Sequence, residues 1–256
     1  MNKAHIAERL LAIVDMDLCD QNKLAPAYQA EELIEAGAAL IVLRSRSREA
    51  GELLRLTLAL VPSARRAGAR LLINDRVDVA IAAGADGVHL PTKGLDAATA
   101  RRLLGPDRII GVSSHGQLEV ERAERNGADY VTLSPVFRSL SKPGYGGSVT
   151  PEDLKLICQS TPMRVYALSG MTPDRVSQVA ATGAFGVAAM GSLCGPHGRR
   201  EVTRFLQAIQ TAWPPGVVGG PPSGRFHRAP EKRPEALGDE PGSARPPRNT
   251  IPFGRE

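Results

Sequence analysis

The chain of 256 residues has few cysteines and no long hydrophobic run. Its three cysteines, Cys19, Cys158 and Cys194, lie far apart and form no CxxC or Cys/His pattern. This spacing speaks against a disulfide framework and is typical of a reducing compartment. No stretch approaches 18 uninterrupted apolar residues, and the N-terminus lacks the apolar core of a signal peptide. We therefore expect a cytoplasmic protein with no membrane partner.

Aromatic residues are also scarce, at 4% of the chain. The net charge is +5, but basic and acidic residues are interspersed, and no basic run carries interleaved aromatics. Nucleic acid is therefore not an expected partner. Half of the 20 prolines fall in residues 214–256, which have almost no apolar periodicity. We predict a disordered tail over 214–256, following one domain over 1–213.

The first 213 residues contain a repeated pattern of Gly-Ala followed by an apolar run. A glycine after an amphipathic helix closes that helix in the left-handed conformation, and the continuous apolar run is typical of a buried parallel strand. The repeats are "GAALIVL" at Gly37, "GARLLI" at Gly68, "GADGVHL" at Gly84, "GADYVTL" at Gly127 and "GAFGVAAM" at Gly183.

Eight such strands can be counted, each followed by a plausible helix. The strands are "LLAIVD", "ALIVLR", "RLLIND", "GVHL", "RIIGVS", "YVTLSP", "RVYALS" and "GVAAMGS". Two helices begin with Thr-Pro, at Thr150 and Thr172, which predicts a capping threonine and a proline in the first turn. Eight units favour an α/β fold of the (β/α)8 TIM-barrel class over an open doubly wound sheet.

In a (β/α)8 barrel the functional residues lie at the carboxyl ends of the strands and in the loops that follow. Polar residues and glycines occur at nearly every such position, which favours a single site. They are Asp15, Arg44, Arg46, Asn74, Asp75, His89, Ser113, Ser114, His115, Ser139, Ser141, Lys142, Ser169, Gly170, Gly191 and Ser192. The loop "SLSKPG" combines two hydroxyls with a lysine, as expected of a loop that closes over an anion. His89 lies within its strand, so we expect it to be packed.

Six motifs in order resemble the thiamine phosphate synthase/TenI superfamily: "INDRVDVAIAAGADGVHL", "GVSSH", "GADYVTLSPVF", "SLSKPG", "ALSGMTPD" and "GVAAMGSL". The resemblance runs from about residue 11 to residue 212. It implies a TIM barrel that handles thiazole phosphate in thiamine biosynthesis. A small-molecule thiazole phosphate is then the expected partner, and a homo-oligomer is left open.

The resemblance departs from the synthase pattern at two strand ends. Synthases have Gln-Leu-Arg-Glu-Lys after the second strand, where this chain has "VLRSR", with Arg44 and Arg46. Asp75 matches one magnesium ligand of the synthases, but Gly94 stands at the place of the second, beside Lys93. Mg²⁺ is usually held through one or two carboxylates. The cofactor expectation is therefore Mg²⁺, bound by Asp75, only if the chain is a synthase, with Asp96 as a substitute ligand only if its loop shifts.

The sequences "LRSRS" and "HLPTKG" are more similar to the TenI branch, whose activity is the aromatising tautomerisation of a thiazole carboxylate phosphate. That reaction needs no cofactor, and His115 matches the histidine that moves the proton. We expect this isomerase activity. Thiamine phosphate synthesis from hydroxymethylpyrimidine diphosphate and thiazole phosphate is the first alternative. A non-catalytic thiazole-phosphate-binding or regulatory protein is the second.

The resemblance also divides the anion-binding groups between two places. Ser139, Ser141 and Lys142 match residues that contact the diphosphate in synthases. The phosphate of the thiazole is expected on the backbone amides of 169–171 and 191–192. Substrate-binding roles follow for Arg44, Arg46, Asn74, Asp75, Ser113, Ser139, Ser141, Lys142, Ser169, Gly170, Gly191 and Ser192. The hydroxyl of Ser169, where the family commonly has glycine, is expected either to donate to the phosphate or to crowd it.

Overall fold

The predicted barrel is confirmed by a computed structural model, which describes residues 6–137 and 149–213. Eight parallel strands pair in sequence order, and the eighth pairs with the first to close the barrel. The strands are β1 (Leu10–Asp15), β2 (Leu40–Arg44), β3 (Arg70–Asn74), β4 (Gly87–Leu90), β5 (Ile109–Ser114), β6 (Tyr130–Leu133), β7 (Arg164–Ala167) and β8 (Gly186–Ala189).

In the described residues nine α-helices connect the strands and cover the barrel. They are α1 (Met16–Gln21), α2 (Pro26–Glu35), α3 (Ala50–Ala67), α4 (Val77–Ala83), α5 (Ala97–Leu104), α6 (Gln117–Arg125), α7 (Pro151–Ser160), α8 (Val176–Ala180) and α9 (Gly198–Ala212). A 3₁₀ turn over Pro173–Arg175 precedes α8. No helix among these is long and apolar enough to cross a membrane.

The local signals in the sequence explain where most helices begin and end. All five repeat glycines have positive φ, as the closing role requires. Thr150 accepts from the backbone N–H of Asp153 and forms a capping box with it. Thr172 is different, because its side chain makes no capping bond and a 3₁₀ turn follows. The Thr-Pro prediction is therefore right for one helix and wrong for the cap of the other.

Alternation along the strands separates two buried layers. One layer fills the barrel interior with Leu11, Ile13, Leu40, Val42, Leu72, Tyr130, Tyr166 and Ala188. The other packs the outward strand residues against the helices, for example Leu10 and Val14 of β1 against Phe205 of α9. Both layers are mostly apolar, and His89 is a polar side chain buried in the interior.

The amino-terminal end of the barrel is covered by aromatic rings. The guanidinium group of Arg9 lies 4.9 Å from the ring centre of Phe185 and 5.0 Å from that of Trp213, in cation–π geometry. Trp213 is only 2% exposed, although it follows the last helix. The packed barrel therefore extends to Trp213. That 1–213 forms an independent domain stays a prediction, because residues 214–256 lie outside the described part.

Candidate active site

The inward strand positions change from apolar to polar at the carboxyl end of the barrel. Asp15 follows Ile13 at the next inward position of β1, and Arg44 follows Val42 in β2. The two residues are paired in register, and the guanidinium of Arg44 donates to the carboxylate of Asp15. Asp15 is nearly buried and also accepts from the backbone N–H of Leu18 at 3.0 Å. Arg44 is thus held in place at the mouth of the barrel.

His89 is packed in the barrel interior, as expected. It is only 4% exposed, and its ring nitrogens hydrogen-bond with the hydroxyl groups of Tyr130 and Ser113, each at 3.0 Å. A neutral imidazole donates through one nitrogen and accepts through the other, and a hydroxyl can take either role. Burial, together with the positive charge of Arg44, lowers the pKa of His89 to about 4. His89 is therefore neutral at pH 7, and its hydrogen bond holds the hydroxyl of Ser113 in place.

Asp75 has an unusual backbone conformation at the end of β3. Its φ is +65°, and its backbone N–H donates to the carbonyl of His89 at 2.9 Å. Such a conformation costs about 1–3 kcal/mol in a residue other than glycine and is concentrated at functional sites. Arg76 forms an ion pair with Asp78, and Arg44 pairs with Asp15. Within the described residues the exposed Asp75 carboxylate has no ionic partner.

His115 follows β5 directly and is exposed. Its Nδ1 lies 2.8 Å from the carbonyl oxygen of Ser134, at the end of β6. A carbonyl only accepts, so Nδ1 carries the hydrogen and donates it. In the neutral ring Nε2 then has a free lone pair, and no described residue hydrogen-bonds with it. The backbone N–H of His115 donates to the carboxylate of Glu119, which fixes this turn.

The loops after β7 and β8 expose backbone amides. In the described parts of the chain, the N–H groups of Gly170, Met171, Gly191 and Ser192 donate to no hydrogen bond. Ser169 has a φ of +86°, and its hydroxyl donates to the carbonyl of Phe137 at 3.0 Å. This hydroxyl therefore supports the loop after β6, and its role at the phosphate stays a prediction. Unpaired amides on adjacent loops are suited to an anion.

Arg46 lies on the loop after β2, which is held by one carboxylate. The Oδ2 atom of Asp17 accepts from the backbone N–H of Arg46 at 2.7 Å. Its Oδ1 accepts from the hydroxyls of Ser45 at 2.8 Å and Ser47 at 2.7 Å. The guanidinium of Arg46 is exposed and forms no ion pair with a described residue. Asn74 lies half-buried between Arg44 and His89 at inward register, whereas Ser139, Ser141 and Lys142 lie outside the described residues.

A sequence model described as thiamine monophosphate synthase matches residues 10–193. The chain belongs to the thiamine phosphate synthase/TenI family. A putative thiamine-phosphate synthase of Geobacter sulfurreducens is 41% identical over 70% of this chain and 84% of its own length. The thiamine-phosphate synthase of Chlorobium luteolum is 36% identical, over 82% of this chain and 95% of its own. The solved thiamine phosphate pyrophosphorylase of Pyrococcus furiosus superposes with a TM-score of 0.72 at 26% identity, over 81% of this chain and 98% of its own. The protein is thus an enzyme of thiamine biosynthesis.

The magnesium ion that family resemblance associates with synthases is a poor fit to the residues at β3 and β4. A Cβ atom built on Gly94 would lie 2.8 Å from Oδ1 of Asp75, so position 94 faces that carboxylate but supplies no ligand. Asp96 does not substitute for it, because its Oδ1 accepts from the backbone N–H of Thr99 at 2.9 Å and caps α5. No group of three or more potential ligands occurs among the described residues. Asp75 is thus one carboxylate at the low end of what a Mg²⁺ site uses, and the ion would depend on the substrate phosphates for its other ligands.

Three residues that support this site are not among the site residues predicted from the sequence. Asp17 holds the Arg46 loop, Tyr130 supports His89, and Gln29 of α2 donates to the loop after β8. Tyr130 could have been found from strand alternation, because it shares the inward register of β6 with Ser134. Asp17 and Gln29 lie on helices and give no such signal.

Proposed function

We propose that the protein tautomerises a thiazole carboxylate phosphate by moving one proton, without a metal or another cofactor. The observation that carries this proposal is the ring of His115, whose Nδ1–H donates to the carbonyl of Ser134 while Nε2 has no hydrogen-bond partner among the described residues. A neutral ring oriented in this way presents a lone pair that can act as a general base. Gly94 supports the proposal, because it leaves Asp75 without a second carboxylate.

In this mechanism the substrate phosphate rests on the amides of Gly170, Met171, Gly191 and Ser192. The Nε2 atom of His115 takes a proton from a ring carbon of the thiazole, and the electron pair of the broken C–H bond enters the ring system. The imidazolium then returns the proton at another atom of the same conjugated system, so the reaction is an isomerisation with no net change in atoms. The Ser134 carbonyl accepts from Nδ1–H throughout and stabilises the charged ring.

The second candidate is thiamine-phosphate synthase activity, which the names of the relatives favour. Arg46 and Asp75, both exposed, would then face the diphosphate of the pyrimidine substrate. This reaction also requires a departing diphosphate to be stabilised, and the carboxylates at β3 and β4 give little support to Mg²⁺. For this reason the isomerase is the first candidate.

The test is an assay of the purified full-length chain with each set of substrates, with and without Mg²⁺. The wild type should tautomerise the thiazole carboxylate phosphate equally well in both conditions. His115→Asn keeps the Nδ1-like donor but has no base, so kcat should fall by about 10²–10⁴-fold. The matched control is His197→Asn, an exposed histidine before α9, which should leave kcat unchanged.

Three outcomes would contradict the isomerase proposal. Mg²⁺-dependent formation of thiamine phosphate with no tautomerisation would establish the second candidate. Full tautomerase activity in His115→Asn would show that this histidine has only a structural role at the start of the following helix. Binding of thiazole phosphate without turnover of either substrate set would indicate a binding or regulatory protein.

A further inference from the structure

The loop after β8, residues 190–197, is held by a buried side chain of α2, the helix between β1 and β2. Gln29 lies on α2, is 4% exposed and faces the loop rather than solvent. Its Nε2 donates to the carbonyl of Leu193 at 2.6 Å and to that of Gly195 at 3.3 Å. A primary amide has two N–H donors, so one side chain can satisfy both carbonyls.

A second amide holds the carbonyl between these two. The Nδ2 atom of Asn22, just after α1, donates to the carbonyl of Cys194 at 2.8 Å. Three consecutive carbonyls of the loop are thus bound by two side-chain amides. Gly198 completes the arrangement, because a Cβ atom at this position would overlap Nε2 of Gln29.

These bonds determine which backbone groups of the loop remain open. The Met190 carbonyl accepts from the N–H groups of Leu193 at 3.0 Å and Cys194 at 3.1 Å, which closes a tight turn. Gly191 and Ser192 form the exposed tip of that turn. With the carbonyls at its base satisfied, the turn presents the two tip amides in a fixed direction.

We propose that Gln29 is a positioning residue for phosphate binding, and that it acts by fixing the turn that carries the amides of Gly191 and Ser192. This inference rests on the proposed phosphate position, but it holds for the isomerase and the synthase alike. Preorganised donors bind an anion better than donors that must be ordered at binding. Loss of Gln29 should therefore weaken phosphate binding without touching the chemical step at His115.

The experiment follows the backbone N–H signals of Gly191 and Ser192 by ¹⁵N NMR while inorganic phosphate is added to the full-length chain at 25 °C. The wild type should show shifts at both amides. Gln29→Met keeps the length of the side chain but has no donor, and Gln29→Glu places oxygens against the carbonyls. In both variants the Kd for phosphate should rise about tenfold, a factor that corresponds to about 1.4 kcal/mol.

Two controls separate positioning from a general loss of structure. Gln210→Met makes the same change on the exposed face of α9 and should bind phosphate as the wild type does. Asn22→Ala alters an exposed residue, should fold normally, and should weaken binding in the same direction but less. In turnover assays, Gln29→Met should raise KM for the phosphorylated substrate and leave kcat nearly unchanged.

The inference fails if the wild type shifts both amides and Gln29→Met binds phosphate equally well. It also fails if Gln29→Met lowers kcat as much as it raises KM, because that result would indicate a general structural role. If phosphate shifts neither amide in the wild type, the proposed phosphate position is itself wrong, and the role of Gln29 is lost with it. Should Gln29→Met not fold, wild-type affinity in Gln29→Glu would overturn the inference.

Discussion

Acid should destabilise this barrel through His89. The side chain is buried among Tyr130, Ser113 and the nearby guanidinium of Arg44. Its pKa is about 4 in the folded chain, against an ordinary value of 6.5. Between these pH values the unfolded chain binds a proton that the folded chain does not. Stability is therefore fully present above pH 6.5 and is lost as the pH falls towards 4.

The size of this effect follows from the two pKa values. A difference of about 2.5 corresponds to about 3 kcal/mol, at about 1.4 kcal/mol for each pKa unit. At pH 4.5 most of that loss, about 2–3 kcal/mol, should already be present. The free energy of unfolding of a native domain is about 5–15 kcal/mol, so a loss of this size is large enough to measure.

The assay compares urea unfolding of wild type and His89→Gln at pH 7 and pH 4.5. Glutamine retains hydrogen-bonding groups but does not titrate, so the variant should be less stable at pH 7 and lose about 2–3 kcal/mol less between the two pH values. Carboxylates that titrate in the same range are common to both proteins and cancel. His197→Gln is the control, because it makes the same substitution at an exposed position. An equal pH dependence in wild type and His89→Gln would refute the reasoning.

The remaining predictions concern the metal and the end of the domain. Gly94→Asp should lower Tm without Mg²⁺, because its Cβ would lie 2.8 Å from Oδ1 of Asp75 and from Cγ of Pro91 and because it sets two carboxylates together. Mg²⁺ should recover the part of the loss that comes from charge repulsion. Gly94→Asn should also lower Tm, but Mg²⁺ should not raise it again. A rise in the Tm of the wild type on addition of Mg²⁺ would contradict the poor fit of the ion. A chain ending after Trp213 should keep the Tm and the ligand affinity of the full chain, as measured by thermal unfolding and titration. A chain ending after Ala212 should melt several degrees lower, since losing a buried Trp side chain costs about 3–5 kcal/mol. If the chain ending after Trp213 melted at a lower temperature than the full chain, residues 214–256 would be shown to stabilise the barrel.

Much of the fold could be predicted because its signals are local. The glycine that ends each repeat, such as Gly84, adopts the left-handed conformation for a reason visible in the sequence. A buried parallel strand such as β4 appears as a short apolar run with the same bounds in sequence and structure. The predicted capping role of Thr172 is wrong, because the same Thr-Pro pair can precede either an α-helix or a 3₁₀ turn.

The site was predicted less completely because its supporting contacts join distant segments. Strand ends predicted the mouth positions of Arg44, Asn74 and Ser113, since parallel strands bring their carboxyl ends together. The bond from Gln29 to Leu193 spans 164 positions and belongs to no motif. The sequence leaves two roles at the phosphate for the hydroxyl of Ser169, and in the structure the rotation of its side chain lets it donate to the carbonyl of Phe137. Sequence periodicity carries no information on such a rotation.

The choice between two reactions on one barrel therefore depends on very few atoms. Both reactions need a thiazole phosphate, and the open amides after β7 and β8 are suited to it in either case. Only the synthase needs a cation beside Asp75, and position 94, where a Cβ atom would lie 2.8 Å from that carboxylate, has no side chain. Only the isomerase needs a base that acts alone, and in the described part of the chain His115 has one fixed donor and one nitrogen without a partner. Identity to synthases over most of the chain is compatible with either activity, because the residues that separate them are a small part of what keeps the barrel folded.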